Sequence, residues 1–188
     1  MSAITQVPRF VMVFVDGGYL RKLIVEQKRN ITDIHYDTFI DKLIGEISKK
    51  DWRIRGELVR VFYYDANVAA EEDPQKYKEC DNEFEVLRKY DYFQIRLGRL
   101  IKTGDGSFRQ KGVDTLVAID MITKAYDRQY DIAILLAGDD DFVDVVNAVK
   151  NKGLRVYGAF EASSASKRLQ EAFDVRIPLE SIAITFKA

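Results

Sequence analysis

Cysteine is nearly absent from this 188-residue chain: Cys80 stands alone, which excludes an intramolecular disulfide framework and any zinc site built from several thiolates. Histidine is as scarce, with only His35. Zinc sites normally need several His or Cys ligands, and general acid–base catalysis most often recruits His, so an enzyme made from this sequence must work through oxygen ligands. Long apolar runs are missing too. Phe10–Val15 is short, preceded by Arg9 and cut off by Asp16, which fits neither a secretory leader nor the roughly 20 apolar residues of a membrane span. A reducing, cytoplasmic setting with no membrane partner is the expectation. Nor is there an excess of one charge: 29 Lys and Arg face 30 Asp and Glu, a net charge of −1. The chain is therefore not coated in positive charge, although a local basic surface remains open to nucleic acid.

What is present is core material. The composition is 47% hydrophobic and 12% aromatic, enough for a chain of this length to bury about 70% of its unfolded surface. With no internal repeat, low-complexity tract or linker, one domain over residues 1–188 is expected, its core at about residues 10–179. Apolar, β-branched runs at Phe10–Val15, Leu58–Tyr64, Tyr92–Leu97, Ile132–Ala137, Leu154–Phe160 and Val175–Leu179 predict strands. Helical spacing predicts helices over Tyr19–Lys28, Tyr36–Lys49, Pro74–Tyr90, Val113–Tyr126, Asp139–Lys152 and Ser163–Phe173, with Asp33 or Asp37 capping the second and Gly153 ending the fifth. Between Gly98 and Gly112 a turn-rich segment with basic arms reads as a hairpin insertion. Alternating strands and helices imply a mostly parallel sheet covered on both faces, with all strand ends of one kind on one rim, where open α/β sheets bind ligands.

Four aspartates map to that rim. Asp16 follows the first strand directly; Asp139 and Asp141, with Asp140 between them, follow the strand ending at Ala137; Asp114 opens the helix after the hairpin. Each has a bland reading as a turn or cap residue. One cap needs one acid, however, and capping acids from three places need not converge on one crevice. Two carboxylates about 4 Å apart repel by roughly 4 kcal/mol at an effective dielectric of 20. A hard divalent cation, Mg²⁺ or Mn²⁺, removes that conflict. Asp65 also ends a strand, though a turn role suits it. Asp120, about 240° around the helix from Asp114, belongs to another face and suits a structural role.

These pieces resemble a family, the NYN domains of the LabA-like group within the PIN-like nucleases. The matching residues are Phe14-Val-Asp-Gly-Gly-Tyr-Leu20, Tyr63-Tyr-Asp-Ala66, Gln110-Lys-Gly-Val-Asp114 with Asp120, Ala137-Gly-Asp-Asp-Asp-Phe142, and Ser164–Leu169 before Asp174, in the family's order. The resemblance implies a three-layer Rossmann-like fold and a Mg²⁺- or Mn²⁺-dependent ribonuclease site, with Asp16, Asp114, Asp139 and Asp141 as its acids. Two departures, Gly18-Tyr19 where the family often has Asn and Ala137 with Asp140 where it has Ser, touch the hydrogen bonds that orient ligands rather than the ligands.

From Arg96 to Lys111 five cations face one acid, Asp105. A basic segment leading to Asp114 suits a phosphate backbone, with Arg99, Lys102, Arg109 and Lys111, and Arg21 after the first rim loop, as substrate contacts and Phe108 as a stacking ring. Edge hairpins also carry Lys and Arg simply to block aggregation. The Ser run at 163–166 could offer amides to an anion, or cap a helix.

The expected function is hydrolysis of single-stranded RNA by aspartate-held metal. The rival from another class is a non-catalytic RNA-binding or protein-binding regulator on the same fold, with a homo-oligomer or regulatory protein partner open in either case. A phosphohydrolase or phosphoacceptor fits less well: a dehalogenase-type site wants Asp-x-Asp after the first strand, where Gly18 stands, and a receiver wants an acidic pair where Asp16 is alone.

Overall fold

The computed structural model describes residues 6–25 and 27–187. The continuously apolar runs become strands whose side chains are covered on both faces: β1 (Val7–Asp16) is buried from Val11 to Val15, and β5 (Ile132–Leu136) throughout. With β2 (Ile54–Asn67), β3 (Phe93–Lys102), β4 (Phe108–Lys111), β6 (Arg155–Phe160) and β7 (Val175–Pro178) they form one seven-stranded sheet in the order β4-β3-β2-β1-β5-β6-β7. Every pairing is parallel except the β3–β4 hairpin. The sheet is thus mostly parallel and lies between helices, the three-layer architecture expected.

The helices are α1 (Gly17–Val25), α2 (Tyr36–Lys50), α3 (Pro74–Leu87), α4 (Val113–Tyr126), α5 (Val143–Asn151) and α6 (Lys167–Ala172). Right-handed crossovers put α1–α3 on one face, because the chain there steps from β1 outward to β3, and α4–α6 on the other, because it then steps from β5 outward to β7. The reversal of direction falls between β1 and β5. This is the switch point whose carboxyl-end crevice binds ligands in open α/β sheets.

β1 occupies the middle of the sheet, and its Phe14 ring anchors the core, stacked on Phe62 at 5.6 Å and edge-on to Tyr130 at 5.8 Å between centroids. Gly153 has φ +80° just past α5, the glycine stop the sequence predicts. Pro74 opens α3, with the Asp73 carboxylate accepting the Lys76 amide.

Local polar bonds account for the departures from the sequence reading. The helix expected from Asp139 begins only at Val143, because the Asp139 carboxylate accepts the Asp141 amide and closes a tighter turn over Asp140–Phe142. The helix expected from Ser163 begins at Lys167, since Ser164 and Ala165 turn back onto the Glu161 carbonyl and the Ser166 amide bonds Gly138. Neither Asp33 nor Asp37 caps α2: Asp33 pairs with Asn30 in a separate short turn, and His35 holds the cap position.

Candidate metal centre

Each acid is positioned by a different device. Asp16 is the last residue of β1, and its Oδ1 accepts the Tyr19 amide at 3.1 Å. The tight exit depends on Gly17, where a Cβ would lie 2.6 Å from the Tyr64 carbonyl. Asp139 caps its turn through Oδ1, 3.1 Å from the Asp141 nitrogen. Carboxylate oxygens of Asp139, Asp140 and Asp141 lie within 4.8 Å of one another. Asp114 sits in the first turn of α4, which Gly112 can enter at φ +82°.

Electrostatics joins the groups. Burial first, and then the charges of Asp114 and Asp65, push the Asp16 carboxyl up to about 6, against the pull of the Tyr19 and Gly18 amides. Asp114 is itself raised, by burial and then by Asp139 and Asp141. It therefore stands between the acid of β1 and the acids after β5, close enough to couple to both.

Neighbouring acids draw the contrast. Asp65 takes Arg21 at 2.8 Å, Asp120 takes Arg96 and Lys124 at 3.3 Å, and Asp140 takes Arg168 at 2.8 Å. Among the described residues, Asp16, Asp114, Asp139 and Asp141 have no such ion pair. Asp16 is partly buried and Asp114, Asp139 and Asp141 are exposed; four hard oxygen donors, each lacking a protein cation, suit Mg²⁺ or Mn²⁺ in donor chemistry and in charge.

Two elements brace the arrangement. Tyr19 donates its amide to Asp16, lays its ring against Gly138, where any Cβ would collide with it, and shares a hydrogen bond of 2.8 Å with Ser164 while accepting the Glu161 amide. It thus ties the Asp16 loop to the Asp139 loop across the switch point. On the other side Gln110 donates to Asp65 at 2.9 Å, and its Oε1 would lie 3.0 Å from a Cβ on Gly18.

The chain belongs to the NYN domain family. The family matches residues 10–180, most of the sequence. NYN domains fall within the PIN-like nuclease superfamily, whose members generally use divalent metals. The NYN domain here resembles in fold a protein of unknown function from Vibrio parahaemolyticus, with a TM-score of 0.67 over 98% of this chain and 100% of that one at 19% identity. An uncharacterised protein of Sinorhizobium fredii, y4oD, is 37% identical over 72 residues, 38% of this chain and 32% of that protein. No helix among the described residues is long and apolar enough to cross a membrane.

The hairpin sorts the expected RNA contacts by face. Register pairs Arg99 with Lys111 and Ile101 with Arg109, so alternation puts these four on one face and Leu100, Lys102, Phe108 and Gln110 on the other. Of the first face, Ile101, Arg109 and Lys111 line a cleft of about 480 Å³ together with Gly112 and Asp114, while Arg99 lies outside its lining. Lys102 and Phe108 point away from it. Arg21 is committed to Asp65 and, also at 2.8 Å, Glu83, and Arg96 to Asp120, so neither is free for phosphate. The Ser run gives no anion site: Ser164 serves Tyr19, and α6 is a single short helix.

Sequence reasoning placed Asp65 in a turn; it is instead a buried strand residue holding Arg21, Gln110 and the Tyr63 hydroxyl. A charge inside an apolar run was the available signal, since a buried carboxylate must have partners. Asp120 is structural, as its helical angle implied, and bonds Tyr64 at 3.0 Å. Tyr19 and Arg168 had no sequence signal, because their partners are distant in the chain.

Proposed function

We propose that this NYN domain is a metal-dependent ribonuclease of the LabA-like group that hydrolyses phosphodiester bonds in single-stranded RNA. The observation that carries the reading is the cation deficit: Asp16, coupled to Asp114, and Asp114, coupled to Asp139 and Asp141, have no Arg or Lys partner among the described residues, nor do Asp139 and Asp141, while Asp65, Asp120 and Asp140 are each matched to one. Asp16, Asp139 and Asp141 would hold Mg²⁺ or Mn²⁺, with Asp114 completing the set. A bound ion supplies a water of lowered pKa and neutralises the charge of a phosphoryl transition state.

The chain's own residues do the rest. Asp114, at the helix mouth between the two carboxylate groups, accepts a hydrogen bond from the attacking water and orients it. Arg109, Lys111 and Arg99 bind the phosphate backbone along the hairpin face that ends at Asp114, so the strand is delivered to the acids. Asp140, which pairs with Arg168 at the surface, stands outside the proposed ligand set. Tyr19 fixes the spacing of the Asp16 and Asp139 loops.

Purified protein should cut single-stranded RNA with Mn²⁺ and stop on chelation. Asp16→Asn should lower the rate by more than about a hundredfold, since even outer partners of metal ligands are worth 10- to 100-fold. Equal cleavage by the variant would point to another site or to contamination. RNA binding with no turnover under any divalent ion would leave the regulator reading.

A further inference from the structure

On the opposite face of the hairpin lies a second cleft, of about 330 Å³, between α1, α3 and β4. This is a size at the lower end of small-molecule pockets. Its apolar surface comes from Leu100, Ala66 and the half-exposed ring of Phe108. Most polar groups in its wall satisfy one another: Arg21 bonds Asp65 and Glu83, Gln110 bonds Asp65, and Glu79 accepts from Gln75. Lys76 is the exception. Its ammonium lies 5.8 Å from the centre of the Phe108 ring and has no carboxylate partner among the described residues.

Three carboxylates against two cations make this lining a poor place for a bare phosphate, whereas a neutral flat heterocycle meets a ring to stack on and an ammonium to receive its carbonyl or ring nitrogen. The cleft is also one side chain from the acids. Gln110 borders it and the Asp114 cleft alike, and reaches Gly18, where a Cβ would lie 3.3 Å from the Asp16 Oδ1. A strand whose backbone follows Arg109 and Lys111 can turn one base over Gln110 into this space.

We propose that the α3–hairpin cleft is a nucleobase pocket, in which one base of the bound strand stacks on Phe108 and is hydrogen-bonded by Lys76. The identity of that base as part of a substrate rests on the ribonuclease reading; the pocket itself is tested without it. Cys80, the one cysteine of the chain, lines the cleft and reports its occupancy. Burial pushes its thiol above the ordinary value, so alkylation is followed in mildly alkaline buffer.

Adenosine or uridine should slow alkylation in the wild type and in Asp16→Asn, by about tenfold at roughly ten times the dissociation constant, because only the empty fraction reacts. Ribose should not. Phe108→Ala should weaken nucleoside binding roughly five- to a hundredfold, the range of one stacked base, and Phe108→Trp should keep it, which separates loss of the ring from loss of the fold. Equal protection by ribose, no protection by either nucleoside at millimolar concentration, or unchanged protection in Phe108→Ala would overturn the proposal. RNA cleavage assayed alongside fails or succeeds independently: thiol protection without cleavage sinks the nuclease reading and leaves the pocket, and cleavage without protection does the reverse.

Discussion

A carboxylate placed among other carboxylates and away from water costs stability until a cation arrives, and in the metal-free protein Asp16 carries that cost. Its carboxyl group is raised by burial and by Asp114 and Asp65 from 3.8 to about 6. A folded-state value above the unfolded one means that the native protein holds the proton longer. Asp16 therefore supports the fold fully below pH 4, and that support, roughly 3 kcal/mol for a rise of this size, is lost as pH climbs through 6. In chelator, Asp16→Asn should melt higher than the wild type at pH 7 and no higher at pH 3.5; adding Mn²⁺ should reverse the order at pH 7 by stabilising the wild type alone. Equal melting points at pH 7 in chelator would mean that the charge is already compensated. The same residue shows what a sequence can and cannot say. The positions of Asp16 at the end of β1, Asp114 in the first turn of α4 and Asp139 and Asp141 in the turn after β5 were legible because strongly patterned strands and helices bound them. Tyr19, Arg168 and the partners of Asp65 were not, because side-chain contacts across 145, 28 and 44 positions leave no periodic trace.

Among the elements, the β3–β4 hairpin separates charge from function most clearly. Its basic composition predicted a nucleic-acid contact, but composition does not distinguish faces, and only register assigns Arg99, Arg109 and Lys111 to the Asp114 side and Lys102 and Phe108 to the other. Arg109→Ala and Lys111→Ala should each weaken binding to RNA of any sequence and reduce the slope of log affinity against log salt by about 0.7, the single-strand value per phosphate contact. Lys102→Ala should leave that slope unchanged. An equal effect of all three, measured by fluorescence anisotropy across salt concentrations, would show general attraction rather than a tracked backbone. The helix ends were the least legible parts: strand cores fall where the apolar runs put them, while the starts of α5 and α6 are set by the Asp139 cap and the Ser166–Gly138 bond, which require the loops to be already adjacent.

At the scale of the whole molecule, the sheet order decides where stability and chemistry reside. β1 is central and buried from Val11 to Val15, so Phe14→Ala, which removes a ring stacked on Phe62 and edge-on to Tyr130, should cost about 3–5 kcal/mol by thermal or denaturant unfolding. β4 is an edge strand, and shortening its Thr103–Ser107 turn should leave the melting temperature nearly unchanged while RNA binding falls. A large loss of stability from the edge change would mean that the hairpin is part of the core. The crossover that carries the chain from the far edge back to β5, beside β1, has a temporal side as well. A ribosome that has delivered Asp16 and Asp114 must still translate past Asp141 before β5 can pair beside β1 and the second half of the sheet can close. On the proposed reading, truncated or still-emerging copies that lack Asp139 and Asp141 would hold only part of the carboxylate set.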